Sequence, residues 1–178
     1  MRRLLTGLII LFSVSTAWSF ELSSPDVAQG QRLNRTQVYR GYGCDGGNLS
    51  PALSWKHAPA GTHSFALTVF DPEAPTGKGW WHWLIFDIPA AVTSLPEGVG
   101  MNAALPAGAR QGRNDFGERG YGGACPPSGN GTHRYVFTIY ALKVEHLDVG
   151  EDASPQQIDA AVRSNSLGSA QITAVYSR

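Results

Sequence analysis

This sequence predicts a mainly β fold, an antiparallel β-sandwich or pair of β-rich sheets with one or two peripheral helices. Three observations carry that expectation. Period-two apolar patterns recur along the chain, glycine and proline turn signals separate them, and one late stretch holds a full set of helix-start residues. At 178 residues, with 21 glycines, 11 prolines and a charged fraction of 16%, the chain suits one turn-rich domain with a sizeable core.

The elements follow in chain order. Arg2 and Arg3, the apolar run Leu4 to Val14, and the small residues Ala17 and Ser19 read as a signal peptide over residues 1–19. Cleavage falls after Ser19 or after Ala17. The run is too short for a stable membrane span, so the expectation is an exported, soluble single domain over 20–178. Without Arg2 and Arg3, 12 basic residues face 14 acidic ones, and no basic stripe points to nucleic acid.

Leu33 to Arg40 includes a weak strand, followed by the turn signals Gly41-Tyr42-Gly43 and Asp45-Gly46-Gly47-Asn48. His63 to Asp71 is a strong strand, with Phe65, Leu67 and Val69 on one face and Ala66, Thr68 and Phe70 on the other. A return strand starts at Trp80-Trp81-His82 and continues through Trp83 to Ile88. A third starts at His133-Arg134-Tyr135 and runs to Leu142. Apolar residues on both faces mark strands covered on two sides. Ser154, Pro155 and Gln157 give an N-cap, an N1 proline and a capping box, with Ile158, Ala161 and Val162 as the buried stripe and Gly168 past the end. Gln171 to Tyr176 closes the chain as another strand.

Gly98 to Gly131 lacks periodicity and is rich in glycine, the pattern of a functional loop. Export allows the two cysteines, Cys44 and Cys125, to pair, the alternative being two separate buried thiols. A bridge would tie this long loop to the Cys44 loop and make it the wall of a site.

Asp71 continues the Phe65 face to the strand end, and the Pro72 to Gly79 turn brings His82 back as its expected neighbour. A carboxylate beside an imidazole fixes its tautomer and favours its charged form. Two histidines and glycine-rich backbone suit a small anion, with Trp80, Trp81 and Tyr135 as walls. Each residue alone is a common structural feature. Arg113 and Arg134 read as solvated charges, and His57, His63 and His146 as surface residues.

Asp71-Pro72-Glu73-Ala74-Pro75, Trp80-Trp81-His82 and Gly131-Thr132-His133-Arg134-Tyr135 resemble the two signature regions of the phosphatidylethanolamine-binding protein family. Gly46-Gly47-Asn48-x-Ser50-Pro51 and Gly112-Arg113-Asn114-Asp115-Phe116-Gly117 resemble its bacterial YbhB/YbcL, or Raf-kinase-inhibitor-like, branch. The leader and the two cysteines point within it to periplasmic YbcL-like members. The resemblance spans Leu33 to Tyr176. It implies a β-sandwich with an anion pocket for phosphate-type groups, such as phospholipid heads. Its pocket residues match Asp71, Trp80, His82, Gly123, His133 and Tyr135. Glu73 replaces a usual aspartate, Trp83 follows His82 in a pattern unlike eukaryotic members, and Cys125 stands where they often carry glycine. The chain also ends after its last strand, without their C-terminal helix, so kinase inhibition does not carry over.

The expected function is therefore binding of a small phosphorylated or anionic ligand, with no cofactor, no metal and no catalytic residue assigned. A protein partner, for an interaction or inhibitor module, is the second reading. A hydrolase using the His/His/Asp set, with or without metal, is the third, weakened because neither His-Glu-x-x-His nor Gly-x-Ser-x-Gly occurs. Oligomeric state, including a homodimer, stays open.

Overall fold

The computed structural model describes residues 19–100 and 104–178. The expected signal peptide lies outside the described residues except for Ser19. The elements are β1 (Glu21–Ser23), β2 (Arg40–Gly41), β3 (Cys44–Asp45), β4 (Leu53–Lys56), β5 (Ser64–Asp71), β6 (Trp80–Pro89), β7 (Ser94–Leu95), β8 (Arg110–Gln111), β9 (His133–Leu142), α1 (Pro155–Asn165) and β10 (Ser166–Tyr176).

The five-stranded sheet β10-β9-β5-β6-β8 is the centre of the molecule, and all its pairings are antiparallel. One face meets the small sheet β1-β4-β7 through a core containing Leu53, Trp55, Phe65, Leu67, Trp83 and Phe137. On the other face, α1 lays Ile158 and Val162 over Ala66, Leu84, Phe86 and Tyr140. Burial on both faces is why β5, β6 and β9 read as continuous apolar runs instead of alternating with polar residues. The fold is the expected antiparallel β-sandwich with a peripheral helix.

The helix begins as its sequence dictates. Ser154 Oγ accepts the Gln157 N–H at 3.3 Å, while Gln157 Oε1 accepts the Ser154 N–H at 2.9 Å, completing the capping box. Gly168 lies past the end of α1 as expected; the helix stops at Asn165, Ser166 already has extended backbone, and the chain passes straight into the eleven-residue strand β10. The weak strand expected within Leu33 to Arg40 is a 3-10 turn at Arg35–Gln37 followed by the two-residue β2. Leu33 still donates its N–H to the Val175 carbonyl at 2.9 Å, so the segment covers part of the β10 edge without joining it as a ladder. Short strands β1, β4 and β7 carry too few residues to show a period. Among the described residues no helix is long and apolar enough to cross a membrane.

Cys44 and Cys125 form a disulfide with Cα atoms 6.0 Å apart, joining β3 to the long loop before β9. That loop is irregular except for β8, yet it is not loose. Ala124 bridges to Val38, and the Gly123 N–H donates to Asn48 Oδ1 at 2.7 Å.

Candidate functional site

Asp71 ends β5 and pairs in register with Trp80, which begins β6. The turn between them is fixed from both sides. Asp71 Oδ1 accepts the Glu73 N–H at 2.8 Å, an aspartate turn of the kind that Asp-Pro favours. Gly79, at φ +74°, closes it, because a side chain there would strike the Phe70 ring. Glu73 then accepts the Arg134 backbone N–H at 2.9 Å and its Nε at 2.6 Å, with Nη2 also in contact. Arg134 is thus an ion-pair partner that fastens the turn to β9, not a freely solvated charge. Arg113 donates to the nearby Gly117 carbonyl at 3.0 Å.

A β-bulge sets the position of His82. Val69 pairs with Trp83 and Phe70 with Trp81, so His82 is the extra residue of β6. The bulge lets Trp80 and His82 line a cavity on the side where Trp83 and Ile85 enter the inter-sheet core. It also directs His82 Nδ1 to the Gly122 carbonyl oxygen at 2.7 Å. A carbonyl only accepts, so Nδ1 carries the proton and Nε2 is the ring's acceptor. Burial holds this imidazole below the usual histidine pKa, against the opposing pull of the Gly122 carbonyl and the Asp71 charge.

The expected Asp71–His82 pair is replaced by Asp71–His133. His133 Nδ1 donates to Asp71 Oδ2 at 2.7 Å, and both side chains are buried. The reason is topological. Strand β5 lies between β6 and β9, each bringing a histidine, and the bulge commits His82 to Gly122. Both Asp71 oxygens are engaged, by Glu73 and His133, so the His/His/Asp set does not present three free metal ligands. Among the described residues no cluster of histidine, cysteine, aspartate and glutamate could hold a metal ion.

Asp71, Trp80, His82, His133 and Tyr135 all line one cavity of about 270 Å³. Gly123 does not. It packs against the Gln37–Tyr39 backbone, where any side chain would clash, and so stands behind the wall. Cys125, two residues on, lines the cavity instead, with Pro126 and Pro127. The mouth is formed by Tyr42 and Phe116, neither singled out as a site residue in the sequence. Phe116 belonged to a family-like run, but nothing in local sequence brings Tyr42 to the same place.

The polar atoms of this cavity are unusual in one respect. Seven buried side-chain polar atoms among the described residues lack a hydrogen-bond partner, and three of them, Trp80 Nε1, His133 Nε2 and Tyr135 Oη, belong to its lining. A buried unpaired polar atom costs roughly 1–3 kcal/mol, so three of them among the residues lining one cavity have the character of a binding site. Burial and the Asp71 charge raise the Tyr135 pKa, keeping the phenol protonated, while the Cys125 backbone amide pulls the other way without reaching hydrogen-bond geometry. With Nδ1 given to Asp71, Nε2 is the one polar ring atom of His133 left for another partner.

Fold and cavity together define a two-sheet β-sandwich with a polar-ended pocket at one end of its inter-sheet core. The model of the phosphatidylethanolamine-binding protein family matches residues 23–177, and the chain belongs to that family. It is 44% identical to the YbcL protein of Escherichia coli over 99% of this chain and 98% of that one. It is 49% identical to YbhB of the same organism, over 88% and 99% of the two chains. The crystal structure of Escherichia coli YbcL superposes with a TM-score of 0.87 at 47% identity, covering 89% of this chain and 98% of that one. A Chlamydia trachomatis homologue of the family gives 0.74 at 29% identity, covering 90% and 98%. Proteins of this family are in general binding proteins, not enzymes.

Proposed function

We propose that this chain is an exported binding protein, a single domain over residues 20–178, whose pocket takes the phosphate group of a small organic phosphate. Three buried atoms without partners among the residues of one cavity, Trp80 Nε1, His133 Nε2 and Tyr135 Oη, support this reading above all. Trp80 Nε1 and Tyr135 Oη donate to phosphate oxygens, and His133, held through Nδ1 by Asp71, offers Nε2 to the same group. His82, neutral with Nε2 as acceptor, suits the remaining P–OH of a singly protonated phosphomonoester. Asp71 faces the Glu73 N–H and the His133 ring N–H, and these two donors offset part of its repulsion of an anion.

Export has separate support: the Arg2-Arg3 leader with its apolar run, the Cys44–Cys125 disulfide, and a Mycobacterium tuberculosis relative, 36% identical over 76% of this chain, that is named a lipoprotein. The Phe20 ring stacks 6.2 Å from Phe65, which fits a domain starting at residue 20.

Calorimetric titration of the purified protein with inorganic phosphate and phosphoethanolamine tests the pocket. Binding at about 1 mM or tighter is expected, with His133→Ala weakening it by roughly tenfold and Tyr135→Phe by about threefold. Absence of binding, or affinities unmoved by both variants, would sink the reading.

A further inference from the structure

One residue at the pocket mouth is held where an ordinary surface would not hold it. Tyr42 is 73% exposed, the largest exposure among the large apolar side chains described, and its backbone sits at φ +50°. A non-glycine residue adopts that left-handed conformation at a cost, and persists there only when its surroundings insist. Here they do. Tyr42 lies two residues before the Cys44–Cys125 disulfide. The Arg178 guanidinium fastens the same loop, donating to the Gly43 carbonyl at 3.0 Å, the Tyr42 carbonyl at 3.4 Å and the Pro126 carbonyl at 2.6 Å. A bridge and a three-carbonyl clamp thus fix an exposed aromatic ring over a cavity.

The ring does not stand alone. Tyr42 lies 5.9 Å from Phe116, and Phe116 lies 5.3 Å from Trp80, whose indole Nε1 is one of the unpaired buried donors. Tyr39 backs the row, stacked on Phe116 at 4.1 Å. An aromatic surface therefore runs from solvent to the polar end of the pocket. Pro126 and Pro127 complete its apolar mouth, and the carboxylate and imidazoles of the lining, Asp71, His82 and His133, are all buried. A phosphate alone leaves most of the 270 Å³ unfilled.

We infer that Tyr42 and Phe116 form a clamp for the organic half of the ligand, selecting phosphomonoesters whose alcohol part is flat and apolar. The inference rests on the phosphate reading of the inner end and adds the specificity. Asp71, the one carboxylate in the lining, is buried beside the His133 imidazole, so no carboxylate stands at the exposed mouth to meet an ammonium group. That favours an aryl over a cationic substituent.

Calorimetry of the purified protein with phenyl phosphate, inorganic phosphate and phosphocholine tests it. Phenyl phosphate is expected to bind at least about tenfold tighter than inorganic phosphate, a preference reduced roughly threefold to tenfold by Tyr42→Ala and largely kept by Tyr42→Phe. Tyr42→Asn removes the ring while tolerating the left-handed backbone, so it should lose the preference with no fall in melting temperature. Inorganic phosphate affinity should stay within about twofold in all three variants. If phenyl phosphate binds no tighter than phosphate, if the Tyr42 variants keep the preference, or if phosphocholine binds best, the clamp is wrong and the phosphate site survives. If none of the three ligands binds, both readings fall together.

Discussion

His82 and His133 are the same residue type in one cavity, yet their backbones give them different tasks. His133 is tied to a carboxylate, whereas His82 is tied to a backbone carbonyl and deeply buried. Desolvation dominates at His82 and lowers its pKa from 6.5. The unfolded chain therefore takes up this proton more readily than the folded one. Its contribution to stability is complete above about pH 6.5 and is lost as pH falls from there towards the lower folded value. A single proton sets a ceiling of about 1.4 kcal/mol per pH unit on the slope. Urea unfolding of the protein and of His82→Gln at pH 7.5, 6.5 and 5.5 checks this. The variant should lose part of the acid-side decline, and parallel curves would show that burial of His82 has no such consequence. None of this contrast was legible in the sequence, where both histidines simply open a strand.

At the level of elements, what could be read and what could not divides along physical lines. Strands β5, β6 and β9 were legible because burial on both faces writes long apolar runs, and α1 because its cap uses local chemistry. Five of the residues singled out in the sequence come to line one cavity because they sit near the ends of those strands. The bulge at His82 was not legible, since a register shift depends on the partner strand, and it redirected the expected Asp71 contact. The Cys44–Cys125 crosslink, spanning 81 positions, was expected from the cysteine count, but the place of the Tyr42 ring beside it follows from loop geometry that no local pattern reports. The same crosslink makes a testable contribution. Closing a loop of that length in the unfolded chain is worth roughly 4 kcal/mol in the chain-entropy model. The paired substitution Cys44→Ser with Cys125→Ser should lower stability by about that amount in chemical denaturation, as should reductant acting on the native protein. A loss under about 1 kcal/mol would mean that the Val38–Ala124 and Gly123–Asn48 contacts already hold the loop, and that the bridge is redundant for folding.

For the whole molecule, the central sheet separates two jobs. Its inter-sheet face leads to the pocket, while its opposite face is sealed by α1, where the Ile158 side chain lies tight against Gly112 and near Leu84 and Phe86. The pocket residues come from the ends of β5, β6 and β9 and from the loops around them, and none belongs to the buried cluster under α1, so the second face bears on stability without touching the site. Ile158 is 2% exposed, and its truncation leaves a cavity that a stiff sheet closes poorly. Ile158→Ala should therefore destabilise the fold by about 2–5 kcal/mol in urea unfolding. Phosphate affinity measured well below the transition should stay within about twofold, because sites without shared partners add independently. Combined with His133→Ala, the stability losses should sum to within about 0.5 kcal/mol. Affinity should match His133→Ala alone. A drop in phosphate affinity from Ile158→Ala by itself would instead show that the helix face and the pocket are coupled through β6, the strand that carries both Leu84 and His82.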